Sequence, residues 1–375
     1  MNKKILCIVG TRPEAIKMAP VIQALQRQRR WDARVVATAQ HRELLDEALA
    51  MFDIVPDIDL GIMQPGQQLA VLTSRLIVAL DRAIEAEQPA AVIAQGDTTS
   101  VFASAIAAFY RRTPFCHVEA GLRTGDMNTP FPEEMNRVLT GRLATLHFAA
   151  TARARTALLR EGVNEQTVFL TGNTVIDALL QVSKKEVSHG LNLPQDKKIV
   201  LLTAHRRENF GPNMASIFGA IRDLVMRHPE IHVVYPVHPN PNVIGPAHSF
   251  LGNTLGVTLC PPLDYERLIA LMKKSWVVLT DSGGLQEEAP ALAKPVLVLR
   301  EETERPEAIE AGVAKLVGHD HDQIISTVET LLSDETTYRA MACGVSPYGD
   351  GQAAKRIENI LFESFFDNKR AQQTT

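Results

Sequence analysis

Cysteine is scarce in this chain of 375 residues, which contains four cysteines. Cys7, Cys116, Cys260 and Cys343 lie far apart, and the first three fall inside apolar runs that resemble β-strands. Disulfide-stapled proteins and cysteine-ligated metal sites need denser or more regularly spaced cysteines. The sequence therefore predicts buried free thiols in a reducing cytoplasm, and neither disulfides nor a metal site.

The chain also lacks a long hydrophobic run and an excess of basic residues. The first apolar run, Ile5–Val9, is too short for a signal peptide, and no later run is long enough to span a bilayer. The formal net charge is −4, which argues against a nucleic-acid partner but allows a local basic cleft for a small anion. We expect a cytoplasmic protein that neither inserts into a membrane nor binds nucleic acid.

Short apolar runs alternate with amphipathic stretches from the first residue onward. A chain of this length, 45% hydrophobic, is large enough for two domains with sizeable cores. Apolar runs followed by Gly, Pro or helix-capping residues are typical of the βαβ units of a doubly wound parallel sheet. The predicted strands are Ile5–Val9, Arg34–Thr38, Ala91–Gln95, Phe115–Glu119, Leu146–Ala149, Val168–Thr171, Ile199–Thr203, His232–Pro236, Val257–Cys260, Trp276–Thr280, Pro295–Leu299 and Ala314–Val317.

The alternation lapses between about Val182 and Lys198, where charged and polar residues surround Gly190 and Pro194. Such a composition is typical of a linker. The sequence therefore predicts an α/β protein in four segments: a first doubly wound domain at 1–182, a linker at 183–198, a second such domain at 199–350 and a terminal segment at 351–375.

Charged and small residues collect directly after the predicted strands. Ligands of open parallel sheets bind beyond the carboxyl ends of the strands, so these positions are where chemistry is expected. The first half supplies three carboxylates with few basic neighbours, and the second supplies a histidine and several arginines. This polarity suggests a nucleotide diphosphate on the second domain, with its organic group directed at acids on the first. The segments are 10–17, 95–99, 117–124, 203–209, 235–239, 280–288 and 302–307.

The stretch from Trp276 to Glu288 reads as a buried strand, a Ser-Gly-Gly turn and the start of a helix. A helix N-terminus presents unpaired N–H groups and a favourable dipole to an anion such as phosphate. Gly283 and Gly284 leave the backbone bare, Ser282 could cap the helix or bind an oxygen, and Glu288 could bind a ribose diol. A capped turn without a ligand is the alternative.

Several other candidates have ordinary structural explanations. Asp97 and Ser282 could simply cap helices, and Arg206 and Arg207 could form a solvated face with Glu208. A functional role for these residues is favoured only because charged and polar residues follow so many of the predicted strands.

His205 could be a structural imidazole, and Glu133 lies near a helix start, where acidic residues are common anyway. Arg12 and Lys17 differ from these two. They lie in the first turns of a predicted helix, where a cation opposes the dipole unless an anion is near.

Ten stretches together resemble the non-hydrolysing UDP-N-acetylglucosamine 2-epimerases. They span nearly the whole chain in the family's order, and several are long and unusual in composition. The stretches are GTRPEAIKMAP at 10–20, QGDTTS at 95–100, HVEAGLRTGD at 117–126, FPEEMNR at 131–137, TGNTVIDAL at 171–179, HRREN at 205–209, YPVHPNP at 235–241, TDSGGLQEEAP at 280–290, ERPEA at 304–308 and SPYGDG at 346–351.

This resemblance implies two Rossmann-like domains that face each other across a cleft, as in the GT-B glycosyltransferases. It places the active site in that cleft and implies a final helix that crosses back towards the first domain. It also implies a homodimer that needs neither a metal ion nor NAD.

The activity that the resemblance implies is interconversion of UDP-GlcNAc and UDP-ManNAc, which would supply ManNAc for cell-surface polysaccharide synthesis. The C2 proton is not beside a carbonyl, so UDP must leave first, giving bound 2-acetamidoglucal, and must add back after C2 is reprotonated on the other face. The catalytic positions matched are Asp97, Glu119 and Glu133 as acid/base groups and His205 as the residue assisting UDP departure. The nucleotide-binding positions matched are Arg12, Lys17, Ser282, Gly283, Gly284, Glu288 and Arg305, with Leu263 and Leu268 lining the uracil.

Three other functions remain open at this stage. A hydrolysing epimerase would share most of these motifs but release ManNAc and UDP. A retaining glycosyltransferase of the same fold would need an acceptor surface and has no use for three carboxylates around C2. A nucleotide-sugar sensor without turnover would gain nothing from carboxylates near a diphosphate.

Overall fold

The computed structural model describes residues 2–38, 42–62 and 66–366 of the chain. The chain divides into two compact units: Met1–Ala178 together with Tyr348–Thr375, and Leu179–Pro347. The predicted linker, 183–198, falls in the second unit, where Lys185 Nζ lies 2.7 Å from Glu266 Oε1. The division of the sequence into four segments stays a prediction.

The first unit is built on a seven-stranded parallel sheet. Its strands are β1 Lys3–Val9, β2 Trp31–Ala37, β3 Ile58–Asp59, β4 Ala91–Gln95, β5 Phe115–Ala120, β6 Leu146–Ala149 and β7 Val168–Leu170, and their order is β3-β2-β1-β4-β5-β6-β7. Its helices are α1 Arg12–Arg27, α2 Arg42–Ala50, α3 Leu69–Glu87, α4 Thr99–Tyr110, α5 Glu133–Leu143, α6 Ala152–Arg160 and α7 Thr174–Ser183, the last of which contains the division between the units. β4 is buried along its whole length and apolar except for Gln95 at its end, as expected for an inner strand of a parallel sheet covered by helices.

The second unit is built on a six-stranded parallel sheet. Its strands are β8 Lys198–Thr203, β9 Ile231–Pro236, β10 Val257–Cys260, β11 Val277–Thr280, β12 Val296–Val298 and β13 Ala314–Leu316, in the order β10-β9-β8-β11-β12-β13. Its helices are α8 Pro212–Arg227, α9 Pro241–Leu251, α10 Tyr265–Lys274, α11 Gly283–Ala291, α12 Pro306–Glu310, α13 His321–Ser333 and α14 Glu335–Met341. The final helix of the chain, α15 Ala353–Phe366, belongs to the first unit. Throughout the described residues, no helix has the length and hydropathy needed to cross a bilayer.

The prediction of two doubly wound, Rossmann-like parallel sheets is confirmed. All twelve predicted strands are present, with ends that differ by at most three residues. The structure adds β3, a strand of two residues that is too short to produce a sequence pattern.

Both sheets have a switch point, where strand order reverses along the chain. It lies between β1 and β4 in the first unit and between β8 and β11 in the second. The loops after two such strands run in opposite directions and leave a crevice at the carboxyl edge, which is where open α/β sheets bind ligands. The loops after β1, β4, β8 and β11 are therefore the places to look for a site.

Three of the four cysteines are buried, as the sequence predicts. Cys7, Cys116 and Cys260 lie in strands, whereas Cys343 is exposed. Burial raises the pKa of the Cys7 and Cys116 thiols, so both stay protonated and behave as small apolar side chains.

Helix α15 is held against the beginning of the chain by one buried carboxylate. Glu358 Oε1 and Oε2 accept hydrogen bonds from Arg30 Nε and Nη2 at 2.9 and 2.8 Å, and Oε1 also accepts from Trp31 Nε1 at 2.9 Å. The guanidinium of Arg30 lies over the ring of Phe362, 3.8 Å from its centroid. A planar guanidinium that is both paired and stacked fixes the helix in one orientation.

We predict that Glu358→Ala lowers the free energy of unfolding of the first unit by about 2 kcal/mol, because Trp31 Nε1 loses its acceptor and Arg30 its partner. Urea unfolding measures this change when it is followed through the fluorescence of Trp31 in a Trp276→Phe background, since Trp276 is the second tryptophan of the chain. The matched control in the same unit is Glu165→Ala, which removes an exposed pair with Arg155 and should leave the transition where it was. Equal effects of the two substitutions would contradict the prediction.

Candidate functional site

The first unit gathers charged side chains at the carboxyl edge of its sheet, beside the switch point. We call Lys17, Gln95, Asp97, Glu119 and Arg137 the acid cluster. Its two acids, Asp97 and Glu119, are predicted catalytic residues, and the structure gives each a cationic neighbour.

Glu119 lies near the end of β5 in a left-handed backbone conformation, with φ of 60°. The pairing of β5 with β6 shifts register at this residue, and such a bulge redirects a side chain. Lys17 Nζ lies 2.6 Å from Glu119 Oε2, and the side-chain amide of Gln95 donates to the same oxygen. Left-handed backbone costs a non-glycine residue on the order of 1 kcal/mol or more and is often found at functional sites. Lys17, predicted to contact the nucleotide, thus has an anion within the protein.

Asp97 follows β4 and is held by helix α5. Arg137 Nε donates to Asp97 Oδ2 at 2.8 Å, and the side-chain amide of Asn136 donates to the Asp97 backbone carbonyl at 2.8 Å. Arg137 in turn donates to buried Glu134 at 3.0 Å. A carboxylate bound through both its backbone and its side chain has one orientation, so α5 determines where Asp97 points.

Glu133 and Arg12 each occupy the first position of a helix. Glu133 opens α5 and is half-buried, one turn before the Asn136 and Arg137 that bind Asp97. Residues three and four positions apart share a helix face, so Glu133 lies on the face that holds Asp97. Arg12 opens α1, directly after β1, and is also half-buried.

Glu14 is a buried acid that ties the loop after β1 to the loop after β4. Its Oε2 accepts the backbone N–H groups of Gly10 and Thr11 at 2.6 and 3.1 Å, and its Oε1 accepts the hydroxyl of Thr98 at 2.5 Å. Burial raises the pKa of Glu14 from 4.5 to about 7, and nearby Asp97 adds to this effect. Glu14 therefore holds Thr98, the residue next to Asp97. The carboxyl group of Glu14 itself titrates near neutral pH.

The second unit places a histidine at its own switch point. His205 follows β8, and its Nδ1 lies 3.3 Å from Oδ1 of the buried Asp281. The imidazole stacks on the ring of His238, with centroids 5.3 Å apart and planes within 8°. Burial lowers the pKa of His205, the charge of Asp281 opposes this, and His238 and Arg206 lower it further.

The predicted phosphate-binding turn lies at the start of α11, and we call Ser282-Gly283-Gly284 the phosphate loop. Ser282 occupies the N-cap position but makes no side-chain capping bond within the described residues, which leaves its hydroxyl for another partner. A Cβ on Gly283 would meet only Arg206 Nη2, at 3.8 Å, and one on Gly284 only Ser282 Oγ, at 3.8 Å. Packing in the described structure does not require glycine here, so bare backbone suits the close approach of a ligand.

Two further predicted nucleotide contacts lie beside the phosphate loop. Glu288 is buried in α11, and its Oε1 accepts the hydroxyl of Tyr265 at 2.7 Å. Tyr265 opens α10, the helix that also carries Leu268, and Leu263 precedes that helix; both leucines are half-buried. The bond from Tyr265 to Glu288 thus joins the predicted uracil and ribose positions.

Arg305, the last predicted nucleotide contact, precedes α12 and is paired within the protein. Its Nε donates to the buried carboxylate of Glu287, and its backbone N–H donates to Thr303 Oγ1 at 3.0 Å. Like Lys17, it is held in place before any ligand binds. The roles of all thirteen residues singled out from the sequence stay predictions.

Sequence reasoning missed the residues that hold the predicted ones. Asp281, Glu14, Glu134 and Arg137 stand inside the quoted motifs but were not singled out for a role. A signal existed for Asp281, because a carboxylate at the end of an apolar strand must be buried and therefore needs donors.

Glu14→Gln keeps the size and acceptor of the side chain but cannot ionise, which provides a test of the buried acid. The unfolded chain ionises near 4.5 and the folded chain near 7, so the unfolded state loses its proton first as the pH rises. We predict that the free energy of unfolding of the wild type, relative to Glu14→Gln, falls by about 3 kcal/mol across this interval and levels off above it. Urea unfolding of both proteins at a series of pH values measures the difference, and curves that stay parallel would disprove it.

Comparison with known proteins connects these features to a family. A family model described as UDP-N-acetylglucosamine 2-epimerase matches residues 23–362. The UDP-N-acetylglucosamine 2-epimerase of Escherichia coli K12 is 50% identical over 368 residues, which cover 96% of this chain and 98% of that protein.

Solved structures agree with this match. The UDP-GlcNAc 2-epimerase of Neisseria meningitidis, bound to UDP-GlcNAc, is 44% identical with a TM-score of 0.87, and the match covers 96% of this chain and 100% of that one. The UDP-GlcNAc 2-epimerase of Methanocaldococcus jannaschii, in complex with UDP-GlcNAc and UDP, is 32% identical with a TM-score of 0.77 and coverages of 96% and 99%. The chain belongs to the UDP-N-acetylglucosamine 2-epimerase family.

Proposed function

We propose that this chain catalyses reversible epimerisation of UDP-GlcNAc to UDP-ManNAc at C2, by eliminating UDP to give bound 2-acetamidoglucal and adding it back. One observation carries the proposal: carboxylates collect at the switch point of one sheet, and a histidine with a glycine-lined helix N-terminus lies at that of the other. Elimination of a diphosphate needs both kinds of group. Relatives named for this activity, one of them bound to UDP-GlcNAc, support it.

The second unit binds the nucleotide in this proposal. The backbone N–H groups of the phosphate loop donate hydrogen bonds to the diphosphate oxygens, and the guanidinium of Arg206 beside Gly283 adds positive charge. Glu288, held by Tyr265, binds the ribose diol, and Leu263 and Leu268 line the uracil. Arg305, which pairs with Glu287 of α11, contributes a further cation.

The acids of the first unit move the proton at C2. Loss of UDP gives C1 oxocarbenium character, which acidifies the C2 hydrogen enough for a carboxylate to remove it. Asp97, Glu119 and Glu133 form the set that removes this proton from one face and returns one to the other. Arg12 and Lys17 supply positive charge from this unit to the nucleotide diphosphate, and Lys17 also orients Glu119.

The reaction is redox-neutral, since the C1–O bond that breaks is formed again, and the proposed mechanism uses neither NAD nor a metal ion.

We also propose a cytoplasmic homodimer whose product supplies ManNAc for cell-surface polysaccharide. Exposed apolar side chains on the neighbouring helices α3 and α4, among them Val78, Phe109 and Tyr110, support a subunit interface.

Incubation with UDP-GlcNAc in deuterated water tests the reaction itself. We expect NMR to show deuterium at C2 of both UDP-GlcNAc and UDP-ManNAc with no net accumulation of UDP, because the C2 hydrogen exchanges while the intermediate stays bound. Steady release of ManNAc and UDP would identify a hydrolysing epimerase. Binding without exchange or products would identify a nucleotide-sugar sensor.

Substitution of the acid cluster tests the proton transfer. Asp97→Asn and Glu119→Gln should each lower kcat by about 100-fold or more, because neither amide can exchange the C2 proton. The control is Glu165→Gln in the same unit, where the side chain is largely exposed and pairs with Arg155; it should retain full activity. Wild-type kcat in both acid variants would exclude these residues from proton transfer.

A further inference from the structure

One carboxylate oxygen beside the predicted leaving-group site accepts no hydrogen bond in the described part of the chain. Asp281 is fully buried directly after β11. Its Oδ2 accepts the backbone N–H groups of His205 and Arg206 at 2.7 and 2.8 Å and the side-chain amide of Asn209 at 3.0 Å. Its Oδ1 is buried and accepts none. Leaving a buried carboxylate oxygen without a donor is unfavourable, so its position needs an explanation.

The unsatisfied oxygen faces an imidazole nitrogen. Asp281 Oδ1 lies 3.3 Å from His205 Nδ1, close enough for an ion pair but not aligned as a hydrogen bond. The ring of His238 stacks on the imidazole and limits its rotation out of plane. Because the two nitrogens of an imidazole point in different directions, Nε2 is directed away from Asp281.

We propose, on the basis of the function proposed above, that Asp281 is a positioning residue for His205. It holds the hydrogen of the neutral imidazole on Nδ1. It also stabilises the imidazolium, whose Nε2–H donates its proton to the departing diphosphate.

The proton and electron balance of the step is complete with the groups present. When the C1–O bond of the sugar breaks, its electron pair stays on the β-phosphate oxygen, and this oxygen takes the proton from His205 Nε2. The imidazole becomes neutral and keeps its hydrogen on Nδ1, facing Asp281. During re-addition the oxygen returns its proton to Nε2 as it attacks C1.

The charges around the ring determine when the imidazolium forms. Burial lowers the pKa of His205, and so do His238 on the neighbouring loop and Arg206 beside it, whereas Asp281 raises it. The phenol of Tyr235, on β9, donates to a backbone carbonyl and not to the imidazole. A bound diphosphate adds negative charge that raises the pKa further. Binding of the nucleotide therefore favours the imidazolium over the neutral imidazole.

Asp281→Asn tests the role of the carboxylate. The remaining oxygen can still accept the three N–H groups, but the new amide donates to His205 Nδ1 and moves the ring hydrogen to Nε2. With ¹⁵N-labelled histidine, assigned through His205→Gln, we expect the tautomer to change and the pKa of His205 to fall by about one unit, with and without UDP. We expect kcat to fall by about 100-fold and the alkaline limb of its pH profile to move to lower pH, with little change in KM.

The matched control is Asp223→Asn, which removes an equivalent carboxylate from His321, 3.1 Å away. It should lower the pKa of His321 and leave both the titration of His205 and kcat unchanged. The proposal is wrong if neutral His205 in the wild type carries its hydrogen on Nε2, a measurement made on the wild type itself, with His205→Gln used only to assign the signal. It is equally wrong if Asp281→Asn keeps the wild-type pKa and pH profile. A wild type that does not epimerise UDP-GlcNAc would overturn the proposed function, while the NMR data would still decide what Asp281 does.

Discussion

Buried carboxylates that accept backbone N–H groups hold the loops of both sheets. Each of three such acids is at most 3% exposed and binds the backbone of a loop at the carboxyl edge of its sheet. Loop backbone near an open crevice lacks the partners that strands and helices provide, and an ionisable side chain with several lone pairs can satisfy two or three donors at once. The acids and their donors are Glu14 with Gly10, Thr11 and Thr98; Glu134 with Thr124, Gly125 and Arg137; and Asp281 with His205, Arg206 and Asn209.

This arrangement explains why the residues assigned to chemistry can be half-exposed and still well placed. Asp97 and His205 are both partly exposed, yet each neighbours a residue or backbone group that a buried acid fixes. A site whose side chains are oriented before the ligand arrives loses less conformational entropy when it binds. Rigid support behind a partly solvated group is also what proton transfer requires, because the group must exchange protons without changing position.

Local patterns were sufficient for the fold, and for the site they were sufficient only in part. Strands such as β4 are short, apolar and followed by turn residues, so both their presence and their position follow from nearby sequence. The partner of a charged side chain does not. Lys17 was recognised as a cation that needs an anion, but that anion is Glu119, 102 residues away, which only the folded sheet brings near. The sequence does not indicate a role for Asp281, because a phosphate-binding turn uses backbone N–H groups and needs no carboxylate at that position.

Because α15 docks on Arg30 and Trp31, the first unit can finish folding only after the second unit has been synthesised. Residues of the first unit stand at both ends of the sequence, and the whole second unit is encoded between them. Until the ribosome has translated Glu358, Trp31 and Arg30 lack this acceptor, so this part of the first unit stays incomplete while the second unit is synthesised. The second unit is one continuous segment, so it can fold around its own core before α15 of the first unit has been synthesised.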